Sequence, residues 1–165
     1  MKKIGIIGGG QLGKMMILDG KRLDTQFSIL DPTEHCPAHS IADRHIVADF
    51  DDVDAIIRLA EDVDVVTYEF EHISVEALRK LEAAGHKVYP SSETLAHIQN
   101  KLVQKRWLRQ HDIPVPDFLE ITSLEDIYAA ESQFSYPMIL KTCTGGYDGK
   151  GNAVIADHEG DANAY

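Results

Sequence analysis

Lys3-Ile4-Gly5-Ile6-Ile7-Gly8-Gly9-Gly10-Gln11-Leu12-Gly13 opens as a short run rich in β-branched residues, passes through three consecutive glycines and continues into a stretch with helical spacing. The apolar run reads as a buried strand, and Leu12, Met15, Met16 and Leu18 carry the helix that follows. A strand running straight into a helix is the first half of a βαβ unit. Residues 27–30 supply the second strand, ended by Asp31-Pro32, because proline cannot donate to a ladder. Residues 45–48 fit a third strand, 51–61 a helix bearing Val53, Ile56, Ile57 and Leu59, and 63–68 a fourth strand. Strands alternating with helices predict a parallel sheet.

Downstream, Ser74 begins a helix that continues to Gly85, and residues 87–89 fit a fifth strand. Ser91-Ser92-Glu93-Thr94 has N-cap chemistry for a short helix, and residues 101–111 form another with Leu102, Val103, Trp107 and Leu108. Ile113-Pro114-Val115-Pro116 breaks that helix. Beyond it, 117–121 is strand-like, 123–132 helical, and 137–141 and 152–156 strand-like. The change of pattern puts a domain boundary between about 90 and 116, giving domains 1–100 and 101–165. Residues 157–165 read as the start of another element, so the expectation is a fragment of a longer protein.

The formal net charge of −11 argues against a nucleic-acid-binding surface and favours a small-molecule substrate. No apolar run is long enough to span a bilayer, and the N-terminus lacks the apolar core of a secretory signal. Cys36 and Cys143 form no C-x-x-C pair, so reduced thiols in a cytoplasmic protein are expected. The eight histidines read as scattered, and no protein-only metal site is expected.

Three constellations could carry chemistry. Gly8-x-Gly10-x-x-Gly13 has the spacing of a dinucleotide fingerprint, with Asp31 where a ribose-binding acid would lie. The same geometry accepts any phosphate at a helix N-terminus, and tight strand-to-helix turns use glycines in any case. At the end of the fourth strand, Glu69 and Glu71 would project to one side if the chain stays extended, where two carboxylates could accept hydrogen bonds from a substrate amine or hydroxyl. Glu69, nearer the strand, is the first choice. The third is Lys141-Thr142-Cys143-Thr144-Gly145-Gly146-Tyr147-Asp148-Gly149-Lys150-Gly151, whose glycines let backbone N–H groups approach an anion while two lysines supply positive charge. It lacks the order of a P-loop, and a plain glycine-rich hairpin is the alternative. Lys101, entering its helix after Asn100, would by pattern alone be an ordinary surface lysine.

Gly8-Gly9-Gly10-Gln11-Leu12-Gly13, Tyr68-Glu69-Phe70-Glu71, Asn100-Lys101 with Gln104-Lys105, and Thr144-Gly145-Gly146-Tyr147-Asp148-Gly149-Lys150-Gly151 occur in an order that resembles the 5-(carboxyamino)imidazole ribonucleotide synthases of the ATP-grasp superfamily. The resemblance runs over essentially the whole chain. The first two motifs also suit the ATP-grasp type of phosphoribosylglycinamide formyltransferase, and the first alone would suit a dinucleotide-binding oxidoreductase.

The resemblance implies an α/β chain: an N-terminal Rossmann-like parallel sheet, the pre-ATP-grasp domain, followed by the beginning of an ATP-grasp domain. It implies ATP and magnesium as cofactors, with the magnesium ligands beyond residue 165 and none in this chain. It also implies bicarbonate and 5-aminoimidazole ribonucleotide as substrates, carboxyphosphate as intermediate, a role in purine biosynthesis, and a homodimer. Carried over, Lys101, Lys141 and Gly146, Tyr147, Asp148, Gly149, Lys150, Gly151 and Asn152 look like ATP-binding positions. Gly10, Gln11, Leu12, Glu69 and Glu71 look like substrate-binding positions, and Tyr147, Asp148 and Lys150 like catalytic ones.

Overall fold

The computed structural model describes residues 1–146 and 150–157. The chain divides into two compact units, residues 1–96 and 97–165. In the first, β1 (Lys2–Ile7), β2 (Thr25–Leu30), β3 (Arg44–Ile46) and β4 (Val65–Tyr68) form a parallel sheet in the order β3-β2-β1-β4. The register places Ile7 beside Leu30 on one side and Tyr68 on the other, so the carboxyl ends of the strands lie together.

Alternate residues of β1 feed two cores, as the period of a strand requires. Ile6 packs with Ile17 of α1 (Gln11–Gly20), Phe27, Ile29 and Cys36. Ile7 packs on the opposite face with Leu30, Val66, Ile56 and Leu59 of α2 (Val53–Glu61), and Leu78 and Leu81 of α3 (Val75–Ala83). The Asp52 carboxylate accepts the Ala55 N–H at the start of α2, and the Ser74 hydroxyl accepts the Ala77 N–H at the start of α3. α4 (Ser92–Gln99) follows, with Leu95 buried in the second core.

Two details differ from the sequence reading. Residues 87–89 make only a single parallel bridge, Val66 to Val88, instead of a fifth strand. On α1 the apolar residues Leu12, Met15, Met16 and Leu18 are exposed, and the helix buries Gly13 and Ile17. The small glycine lets the helix lie close on the sheet, so an apolar side chain every third or fourth position is not what docks it.

In the second unit, α5 (Lys101–Gln110) starts where the Asn100 side-chain oxygen accepts the Leu102 and Val103 N–H groups. α6 (Leu124–Ala130) starts with a reciprocal capping box between Ser123 and Asp126. β5 (Met138–Lys141) and β6 (Asn152–Ile155) pair antiparallel, Lys141 opposite Asn152. Residues 117–121, read as strand-like, are irregular and pair with no strand among the described residues. Their charges are taken up locally instead: Arg109 donates to Asp117 and Arg106 to Glu120.

Candidate functional site

The first candidate site sits at the carboxyl end of the parallel sheet, where the glycine turn passes from β1 into α1. No side chain at the N-cap, Gly10, serves the helix's free N–H groups. They are served from the neighbouring strand. Glu69, one residue past β4, accepts the Gly10 N–H with Oε1 and the Gly13 N–H with Oε2, each at 3.0 Å. A Cβ on Gly10 would lie 2.6 Å from Glu69 Oε1, so the glycine there admits the carboxylate. The helix N-terminus, read as open to a phosphate, thus already holds an anion that belongs to the chain.

Asp31 shows a second internal use of a carboxylate. Its oxygens accept the Gly9 N–H and the Thr33 N–H, both at 2.8 Å, and the residue is 6% exposed. A dinucleotide site would need this acid to face a ribose, whereas here it braces the glycine turn from inside. Beside it, burial foremost and then the Asp31 charge raise the Cys36 thiol pKa, which leaves it less able to form a thiolate.

Gln11 and Leu12 occupy the exposed first turn of α1. Leu12 lines an open pocket of about 440 Å³ with Met15, Met16, Asp19, Tyr68 and Glu69. Glu71 does not join Glu69. The strand ends at Tyr68, the chain bends, and Glu71 lies 3.6 Å from the partly exposed His72 ring. The Tyr68 hydroxyl is buried with no hydrogen-bond partner among the described residues, and burial, then the Glu82 charge, raises its pKa.

The histidines are less scattered than their sequence positions imply. His35 and His39 are four residues apart, stand edge to face with centroids 5.4 Å apart, and His39 Nδ1 lies 3.0 Å from His45 Nδ1. His45 Nε2 meets the Asp31 carbonyl oxygen at 3.0 Å and donates to it, because a carbonyl oxygen can only accept. Among the described residues no group of three or more His, Cys, Asp or Glu side chains is arranged to hold a metal ion.

The second candidate site lies within the second unit. Lys101 and Lys141 line one cavity of about 660 Å³, whose walls include Leu102, Phe118, Met138 and Leu140. Next to it the glycine segment closes at its neck. Thr142 N–H donates to the Gly151 carbonyl at 2.9 Å, and a side chain on Gly146, at φ +63°, would collide with the Lys150 carbonyl oxygen. Lys101 reaches this neck with both its backbone and its side chain. Lys150, Gly151 and Asn152 follow the neck, while Tyr147, Asp148 and Gly149 lie outside the described residues.

Residues 1–99, more than half the chain, match the ribonucleotide synthetase pre-ATP-grasp domain family. The chain belongs to that family. Residues 106–165 match the ATP-grasp domain, so the fold is a Rossmann-like pre-ATP-grasp sheet followed by residues of an ATP-grasp domain. The chain is similar to the N5-carboxyaminoimidazole ribonucleotide synthase of Staphylococcus epidermidis, at 40% identity over 92% of this chain and 40% of that protein. The crystal structure of the Thermotoga maritima synthetase matches with a TM-score of 0.89 and 43% identity, over all of this chain and 44% of that one. The Aspergillus clavatus synthase, solved with ADP and 5-aminoimidazole ribonucleotide, matches with a TM-score of 0.86 and 33% identity, over 99% of this chain and 43% of that one. The chain therefore spans about 40% of the length of the curated relatives it matches.

The sequence reading missed, among other features, the burial of Asp31 in the glycine turn and the role of Glu69 as the cap of α1. The signal for the second was present, since a strand order that sets β4 beside β1 brings an acid at the end of β4 next to the glycine turn.

Proposed function

We propose that the whole protein of which this chain is part uses ATP and bicarbonate to carboxylate 5-aminoimidazole ribonucleotide, giving 5-(carboxyamino)imidazole ribonucleotide in purine biosynthesis. The observation that carries the reading is the pairing of Lys101 and Lys141 on one cavity beside a closed glycine neck, in a chain whose relatives are synthases of this kind. The A. clavatus relative solved with ADP and the aminoimidazole ribonucleotide supports both ligand assignments.

A bicarbonate oxygen attacks the γ-phosphorus, the bond to ADP breaks and carboxyphosphate forms. The substrate amine then attacks the carboxyl carbon, the bond to phosphate breaks, and the amine loses a proton as phosphate leaves. Lys101 and Lys141 hold the phosphates by charge-assisted hydrogen bonds. Gly146, Gly149, Gly151 and Asn152 shape the segment that excludes water from an intermediate that hydrolyses readily. Tyr147, Asp148 and Lys150 act at the reacting groups.

Gly10, Gln11, Leu12 and Glu69 bind the ribonucleotide. Each Glu69 oxygen accepts one backbone N–H and keeps a further acceptor site for a hydroxyl or amine of the substrate. Magnesium would supply charge neutralisation on the phosphates, and among the described residues no group of three or more His, Cys, Asp or Glu side chains is arranged to hold it. Among the described residues no helix is long and apolar enough to cross a membrane. A cytoplasmic homodimer completes the proposal.

The test is phosphate release from ATP by the full-length protein with and without 5-aminoimidazole ribonucleotide. Release that depends on the nucleotide is expected, and equal rates in its absence would overturn the proposal.

A further inference from the structure

Lys101 is bound to the glycine segment at three points. Its backbone N–H donates to the Cys143 carbonyl at 2.8 Å, and its ammonium donates to the Gly145 carbonyl at 2.8 Å and the Thr142 carbonyl at 3.2 Å. All three acceptors belong to the first half of the segment, so one residue at the start of α5 fixes the path of the chain leaving β5. The neck is tight on its far side as well. A Cβ on Gly151 would lie 2.6 Å from Thr142 Oγ1, so Thr142 is packed as well as bonded.

These acceptors are neutral carbonyls, and the donor is the charged end of a residue that also lines the cavity shared with Lys141. A phosphate oxygen is a stronger acceptor for an ammonium than a carbonyl is, because the hydrogen bond then joins two ions. We infer that Lys101 is a latch: without nucleotide its ammonium holds Thr142 and Gly145, and an arriving polyphosphate takes the ammonium and releases those two carbonyls. Lys101 is thus a positioning residue that couples phosphate binding to the shape of the glycine segment. The bond from its backbone N–H to Cys143 stays in place as the pivot, since that donor is fixed by the helix. The inference rests on the nucleotide reading of this cavity.

Carbonyl carbon resonances of Thr142 and Gly145, read by NMR on the labelled full-length protein, test it, because they move downfield when the carbonyl accepts a hydrogen bond. In the wild-type protein, ADP is expected to shift both upfield. Lys101→Met, which keeps an unbranched helix-forming stem, is expected to show the upfield positions without ADP and no further shift at these two carbonyls on adding it. Resonances of α6 report whether the variant is folded, with Lys101→Gln as the second variant.

Unchanged Thr142 and Gly145 carbonyls in the ligand-free variant would overturn the latch, whatever ADP does. An equal ADP shift in variant and wild type would overturn the exchange. If ADP moves no resonance of the cavity, including those of Leu102 and Phe118, the nucleotide reading fails and the exchange with it. The ligand-free comparison still decides whether Lys101 holds the segment.

Discussion

Glu69 Oε2 accepts the Gly13 N–H at 3.0 Å across 56 residues of sequence, tying the end of β4 to the first turn of α1. Together with the bond from Gly10, it gives the carboxylate a structural duty that precedes any substrate. Charge-assisted bonds of this kind contribute roughly 1.5 to 3 kcal/mol, and the helix dipole adds to them. Glu69→Ala should therefore lower stability by about 1 to 3 kcal/mol in denaturant unfolding. Gly10→Val should lower it too, because its Cβ would displace the same carboxylate. Wild-type unfolding midpoints in both variants would show that the cap carries no weight.

Tyr68 presents the opposite case. Its hydroxyl is buried without a partner among the described residues, so it bears the desolvation cost and gains no bond. Tyr68→Phe keeps the ring and removes the orphaned oxygen. Thermal unfolding of the variant is expected at or above the wild-type midpoint, and a clear loss of stability would mean that the hydroxyl is satisfied in solution.

The Asp126 carboxylate gives a pH test in the second unit. It accepts from the Thr122 N–H at 2.7 Å, the Thr122 hydroxyl at 2.8 Å and the Ser123 N–H at 2.9 Å. The Thr122 bonds lead in holding its pKa below the usual 3.8. A lowered folded-state pKa means that the stabilisation is complete above the unfolded value and is lost as pH falls through the folded one. Asp126→Asn should thus be less stable than wild type near about pH 7, with the gap closing toward about pH 3. A gap independent of pH would show that the cap works through shape and not through charge.

Much of this was legible in the residues. The parallel sheet followed from β-branched runs alternating with helical spacing, because Ile6 and Ile7 must each bury on a different face. The capped start of α3 was signalled by Ser74, whereas the caps at Asn100 and Ser123 were not read from the sequence. What failed were features set by tertiary packing. A strand at 87–89 needs a neighbour for more than one residue, and only Val88 finds one. The exposed face of α1 could not be foreseen, since Met15 and Met16 look like core residues and Gly13 is what lies on the sheet. Pairing of Glu69 with Glu71 assumed an extended chain past Tyr68, and the bend there sends the two acids to different partners. The lysine contacts join residues more than forty positions apart, which no local pattern encodes.

The last prediction separates holding ATP from using it. Lys141, at the end of β5 and on the cavity wall, is proposed to contact the phosphates in the bound state, so Lys141→Ala should weaken ATP binding by about tenfold or more, the worth of one charge-assisted contact. Lys150 and Asp148 have a different role in the proposal: Lys150 meets charge developing on the transferring phosphoryl or carboxyl group, and Asp148 orients the substrate amine. Interactions that strengthen only as the reaction proceeds affect turnover more than ground-state affinity. Lys150→Ala and Asp148→Asn in the full-length protein should therefore lower kcat by roughly ten- to a thousand-fold, with a much smaller change in the ATP dissociation constant. Steady-state kinetics paired with direct ATP titration distinguishes the two patterns. Near-wild-type turnover in both variants would reduce the segment between Lys141 and Asn152 to a hairpin turn, and a loss confined to ATP affinity would move Lys150 from the reacting groups to the nucleotide's binding shell.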